Sequence, residues 1–99
     1  MAILNFTPSA CGMMSAPANT SEARAIPGGA GPTLLITNLG PSAAVVLLGG
    51  STVVATVATG IAVLPGCPLA LGVGANTHIA AWGLGGNATL NLAQGDATA

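Results

Sequence analysis

The sequence predicts an all-β fold, a small β-sandwich or jelly-roll-like barrel with an irregular N-terminal arm. Three observations carry this expectation. Short runs rich in Val, Ile, Leu and Thr recur between turn signals at spacings of roughly 8–12 residues, as in sandwiches and barrels. The run ATLNLA over 88–93 alternates apolar and polar residues with the period of a half-buried strand. The most apolar stretch, 43–64, is built from β-branched residues and threonines interrupted by glycine.

Taken in order, the chain divides at residue 32. Residues 1–32 read as an extended arm with short strands, and 33–99 as the sandwich or jelly-roll domain. A short strand over 2–7 ends at Pro8, because proline has no N–H to give to a ladder. SACGMMSAPANT over 9–20 reads as loop or extended arm. A weak strand over 20–26 carries Glu22 and Arg24, two residues apart and so on one face. Two readings stand for that pair: an ion pair, or a solvated edge that blocks strand addition.

From Thr33 the pattern becomes regular. Strands are expected over 33–38, 43–48, 52–57, 61–64, 69–73, 77–82 and 88–93. Their breaks are the turn signal from Asn38 to Pro41, a tight hairpin at Gly49-Gly50, Thr59-Gly60, Pro65 to Pro68, Gly74 to Asn76, and Gly83 to Asn87. In the last strand Ala88, Leu90 and Leu92 face the core while Thr89 and Asn91 face out; residues 95–99 read as a frayed tail.

Residues 43–64 are also long enough for a membrane span, which needs about 20 apolar residues. Glycine breaks inside the stretch, its β-branched content and the absence of flanking Lys or Arg favour strands covered on both faces. No membrane partner is expected.

Charge narrows the function classes further. Glu22, Arg24 and Asp96 are the only ionised side chains of 99 residues, against about a quarter in an ordinary domain. A single arginine supplies no phosphate-binding surface, so nucleic acid is not an expected partner. Net charge keeps monomers apart, so a free, soluble monomer is not expected and a homo-oligomer is. The core must be thin, because the chain has one Phe, one Trp and no Tyr.

No pattern of residues demands a chemistry, and the chain is expected not to be an enzyme. His78 and Asp96, the only His and the only Asp, carry no triad spacing. One His and two distant cysteines do not make a metal site, and no cofactor is expected. Gly72 and Gly74 lack the third glycine of a dinucleotide fingerprint, and Gly83 to Gly86 lack the lysine of a phosphate loop; both read as hairpin turns. Cys11 and Cys67 are expected to be reduced, buried small hydrophobes rather than a bridge. Asn5, Asn19 and Asn87 open Asn-x-Thr/Ser triplets and read as turn and strand-edge residues. The opening MAILNF lacks a basic region ahead of its apolar residues, so it is not read as a signal peptide, and synthesis in the cytoplasm is expected.

Candidate contact residues are the large or adaptable side chains: Phe6, Met13, Met14, Trp82 and Leu84. Methionines on a loop make adaptable contacts, although the pair would equally tuck under the domain's edge. Trp82, on one face with His78 and Ala80 and opposite Ile79 and Ala81, reads equally as interface or core.

The segments ITNLGP, VVLLGGS, VLPG, GANTHIAAW and ATLNLAQG, spread over 33–95, resemble small virion proteins of tailed bacteriophages, above all capsid decoration or cement proteins. That resemblance implies a small β-sandwich or jelly roll, a dimer or trimer, on the outer capsid of the virion, made in the host cytoplasm. It also implies that the protein binds the major capsid protein and clamps neighbouring capsomers. The same strand style in tail fibres implies the alternative of a glycan- or receptor-binding module. It supplies no catalytic residue.

Overall fold

A computed structural model describes residues 5–28 and 31–98. It contains eight strands: β1 (Asn5–Ala16), β2 (Ser21–Ala25), β3 (Thr33–Pro41), β4 (Ala44–Gly49), β5 (Ile61–Val63), β6 (Pro68–Gly72), β7 (His78–Gly83) and β8 (Ala88–Thr98). They form two four-stranded antiparallel sheets, ordered β1-β8-β3-β6 and β2-β7-β4-β5. The all-β expectation is correct.

The strand order follows a simple rule. β1 pairs with β8, β2 with β7, β3 with β6 and β4 with β5, so the chain is one long antiparallel ribbon folded at its middle. The ribbon is wound so that β8 also meets β3 and β7 also meets β4. This is the winding of a jelly roll. Every connection except β4 to β5 passes from one sheet to the other, so the glycine segments 72–74 and 83–86 are crossings between sheets and not the hairpin turns expected.

Inward-facing side chains of both sheets make the core: Met14 and Ala16 from β1, Leu34 and Ile36 from β3, Ala44 and Val46 from β4, Ile79 and Ala81 from β7, and Ala88, Leu90 and Leu92 from β8, with Val63 and Val73. The alternation expected in the last strand therefore holds. The core is made of small and aliphatic residues, and its buried polar member, Asn38, is fully engaged. Its Nδ2 donates to the carbonyls of Ser42 (2.9 Å) and Val63 (2.8 Å), and the Gly40 N–H donates to its Oδ1 at 2.7 Å.

Several expected boundaries need correction. The arm expected over 1–32 is not an arm where it is described: β1 pairs along its length with β8 and β2 pairs with β7, so the segment belongs to the domain. Loop-forming residues are tolerated in β1 because it is a sheet edge, with a register shift between Pro8 and Ala10 absorbing the proline. The expected frayed tail is, up to Thr98, the end of β8, held by β1. β3 likewise runs through the turn signal to Pro41, across a cis Gly40-Pro41 peptide and a register shift.

The largest correction concerns 43–64. Gly49-Gly50 is not a tight hairpin, and 52–57 is not a strand; the β4–β5 connection spans 50–60. That segment crosses the outer face of the second sheet, where the Ala55 N–H donates to Ser21 Oγ of β2 at 3.0 Å. Val45 and Ala80 point away from the core and are nonetheless 3% and 0% exposed, and Ala55 is 0% exposed. Gly60 permits the close approach, since a Cβ there would lie 2.0 Å from Val45 Cγ1. The segment meets the sheet through Ala55 and Gly60, while its Val54 and Val57 stay exposed.

Candidate interaction surface

The contact residues read from the sequence do not gather at one place. Met13 is 43% exposed on the outer face of the first sheet, where Asn91 Nδ2 donates to its Sδ at 3.4 Å. Met14, its neighbour, is 3% exposed and belongs to the core, so it is no contact residue; adjacent positions on a strand take opposite faces. Leu84 is half-buried in the β7–β8 crossing, with its N–H donating to the Ala43 carbonyl at 2.9 Å. Phe6 pairs with Ala97 in the β1–β8 register, and its side chain lies outside the described residues.

Trp82 sits on the outer face of the second sheet, between Ser21 of β2 and Val45 of β4. It is half-buried, and its indole nitrogen is buried without a hydrogen-bond partner. The half-buried ring offers no open stacking platform.

Sequence reasoning missed the most exposed large apolar residues among those described. Val54, Val57, Ile61 and Leu64 are 58%, 64%, 44% and 57% exposed, all within the covering segment and around β5. Leu39, 58% exposed, lies next to Gly40 and Asn38, whose carbonyl accepts the Gly66 N–H at 2.8 Å. Reading 52–57 and 61–64 as strands with one buried face concealed this apolar surface. Its only signal was the absence of any polar alternation in those runs.

The β2 edge of the second sheet is different in character. There Glu22 and Arg24 share one face of β2, as expected, with Ala81 and Ile79 as register partners. An open groove of about 260 Å³ lies beside them, lined by Met13, Met14, Ser15, Arg24 and Thr89.

The fold does not bring His78 and Asp96 together. His78 is half-buried on β7, with Nδ1 2.8 Å from Thr77 Oγ1, whereas Asp96 is exposed on β8 in the other sheet. Among the described residues no group of three or more His, Cys, Asp or Glu is placed to hold a metal ion. Cys11 and Cys67 are free, and both are exposed rather than buried as expected, one on an edge strand and one in the turn before β6. Asn19 and Asn87 do serve as turn residues: Asn87 Oδ1 accepts the Ala18 N–H at 2.8 Å, and Asn19 has a positive φ of 53°. No helix among the described residues is long and apolar enough to cross a membrane. Compared with protein-family models, with curated proteins and with solved structures, the chain matches none.

Proposed function

We propose that this protein is a structural virion component, a capsid decoration or cement protein. It binds the major capsid protein on the outer surface and stabilises the contacts between capsomers. The observation that carries the reading is the exposed apolar surface of Leu39, Val54, Val57, Ile61 and Leu64 on a jelly roll with no Lys, Arg, Asp or Glu between Ala25 and Gly95. Exposed apolar patches mark interaction sites, and a lattice presents many identical sites to which weak contacts add by multivalency. Jelly rolls host capsid proteins and lectins alike, so the fold alone does not choose. The glycan-binding alternative draws no support from Trp82, whose ring is half-buried.

The test is addition of the purified protein to undecorated shells assembled from a tailed-phage major capsid protein. It should cosediment with the shells and raise their disruption temperature. Val57→Asp and Leu64→Asp should abolish cosedimentation while changing the protein's own stability by no more than about 0.5 kcal/mol, since both sites are exposed. Shells that neither bind the protein nor gain heat resistance would refute the assignment.

A further inference from the structure

We propose that the free edge of β2 is the two-fold interface of a homodimer, in which Glu22 and Arg24 of each copy meet Arg24 and Glu22 of the other across a central pair of Ala23 residues. The proposal gives an edge and a register to the oligomer expected from composition. It stands on the geometry of that edge and not on the capsid reading.

Among the described residues β2 ends its sheet and pairs only with β7. Four of its five residues are exposed. The direction of its backbone groups follows from the next residue: the Ile26 N–H donates to the Thr77 carbonyl at 3.0 Å, in continuation of the β2–β7 ladder. In an antiparallel ladder such residues alternate, so Glu22 and Arg24 also turn their backbone groups to β7. Ser21, Ala23 and Ala25 then turn their N–H and C=O groups to the open side. That open row is a template for one more strand.

The sandwich has four edge strands, β1, β6, β2 and β5. Among them β2 alone contains charged residues, and it contains both signs. Charge on an edge ordinarily opposes strand addition. Here the spacing of the two charges favours one antiparallel alignment and opposes its two-residue slips and the in-register parallel one. With a two-fold axis at Ala23, an antiparallel second copy places Glu22 opposite Arg24 and Arg24 opposite Glu22. Slipping by two residues in one direction sets Glu22 against Glu22, and in the other Arg24 against Arg24. A parallel in-register copy sets both like pairs together. Specificity of this kind comes from penalising the wrong partners as much as from rewarding the right one.

Backbone and side-chain requirements coincide at this axis. Ala23 opposite Ala23, with Ser21 opposite Ala25 on either side, brings together the residues whose backbone groups are outward, and so forms hydrogen-bonded pairs. The Glu22–Arg24 pairs then occupy the non-hydrogen-bonded positions, where facing side chains stand closest. The groove lined by Met13, Met14, Ser15 and Thr89 flanks Arg24 and gives its aliphatic stem an apolar wall, leaving the guanidinium to the incoming carboxylate. The two second sheets join into one continuous eight-stranded sheet, and the interface is isologous, as a closed dimer requires.

Sedimentation equilibrium of the full chain, without shells, decides the matter. The expected species is a dimer of the 9.3 kDa chain. Glu22→Arg and Arg24→Glu should each raise the dissociation constant about tenfold or more, because both facing pairs become repulsive. Their far-UV circular dichroism should stay that of the parent. Mixing the two variants should restore a heterodimer, since one copy then carries two cations and the other two carboxylates. The double variant should dimerise on its own. A monomeric or trimeric parent, association unaffected by either reversal, or folded single variants that fail to associate when mixed would each overturn the proposal. The capsid reading would survive such a failure, since it is tested by shell binding and on other residues.

Discussion

Asn38 of β3 donates from Nδ2 to the carbonyl of Val63 in β5 at 2.8 Å, a hydrogen bond that crosses from one sheet to the other. The same amide holds Ser42 and Gly40, so one buried side chain fixes the end of β3, the turn after it and the edge of the opposite sheet. Buried polar groups of this kind are stabilising only while every member is satisfied.

Asn38→Ala leaves two carbonyls and one N–H without their partner, and is expected to lower unfolding free energy by about 2–3 kcal/mol in urea titration. Asn38→Asp should be worse at neutral pH, because it sets a charge against the Ser42 and Val63 carbonyl oxygens. A variant as stable as the parent would show that the hydrogen bonds are replaceable by water.

Gly83 closes β7 in a place where no side chain fits. An added Cβ would meet the backbone oxygens of Gly86, Ala16 and Pro17 at 2.1, 2.7 and 2.8 Å. Gly83 also donates to the Pro17 carbonyl and accepts from the Asn19 N–H, both at 2.8 Å, so it cannot retreat without losing them. Gly83→Ala is expected to destabilise by about 3 kcal/mol or more. Gly50→Ala, where nothing lies within 4 Å, should be within about 0.5 kcal/mol of the parent. Thermal melts of the two variants side by side make the comparison.

The covering segment 50–60 is held by Ala55, which donates to Ser21, the register partner of Trp82. Ser21→Ala removes the acceptor of the Ala55 N–H and should weaken the segment by about 1 kcal/mol. Ala55→Asp places a charge at a site with 0% exposure and should lift the segment from the sheet. The emission of Trp82, the only tryptophan, should then shift to the red and become open to acrylamide while the β-type dichroism persists. Unchanged emission in a folded Ala55→Asp protein would refute the covering role.

Both cysteines are exposed and free, so two thiols per folded chain should react with an aromatic disulfide reagent without denaturant. Cys11→Ser and Cys67→Ser together should change stability by no more than about 0.5 kcal/mol.

The sandwich was legible because period-two alternation and turn residues are local signals. Ala88 to Leu92 shows this most plainly, and so does the pairing of Ile79 and Ala81 against Trp82. What the sequence did not disclose is what covers each strand. A run such as 52–57 has the β-branched composition of a strand whether it pairs in a sheet or lies across one. The exposure of Val54 and Val57 was hidden for that reason, and so was Met14, whose place depends on the register of β1 against β8. Glu22 and Arg24 were placed correctly on one face, but only the sheet order reveals that this face belongs to a free edge.

The winding of the ribbon also sets an order of events in folding. β8, the last of the eight strands, lies between β1 and β3, so the first sheet has no centre until β8 arrives. Only the β4–β5 pair joins neighbours in the chain, while Asn5 must find Thr98. Contacts so distant along the chain are slow to form, and a nascent chain waiting for its last strand leaves the inner faces of β1 and β3 unprotected. Folding should therefore start at the fold of the ribbon and close toward its ends, with aggregation competing most strongly before β8 docks.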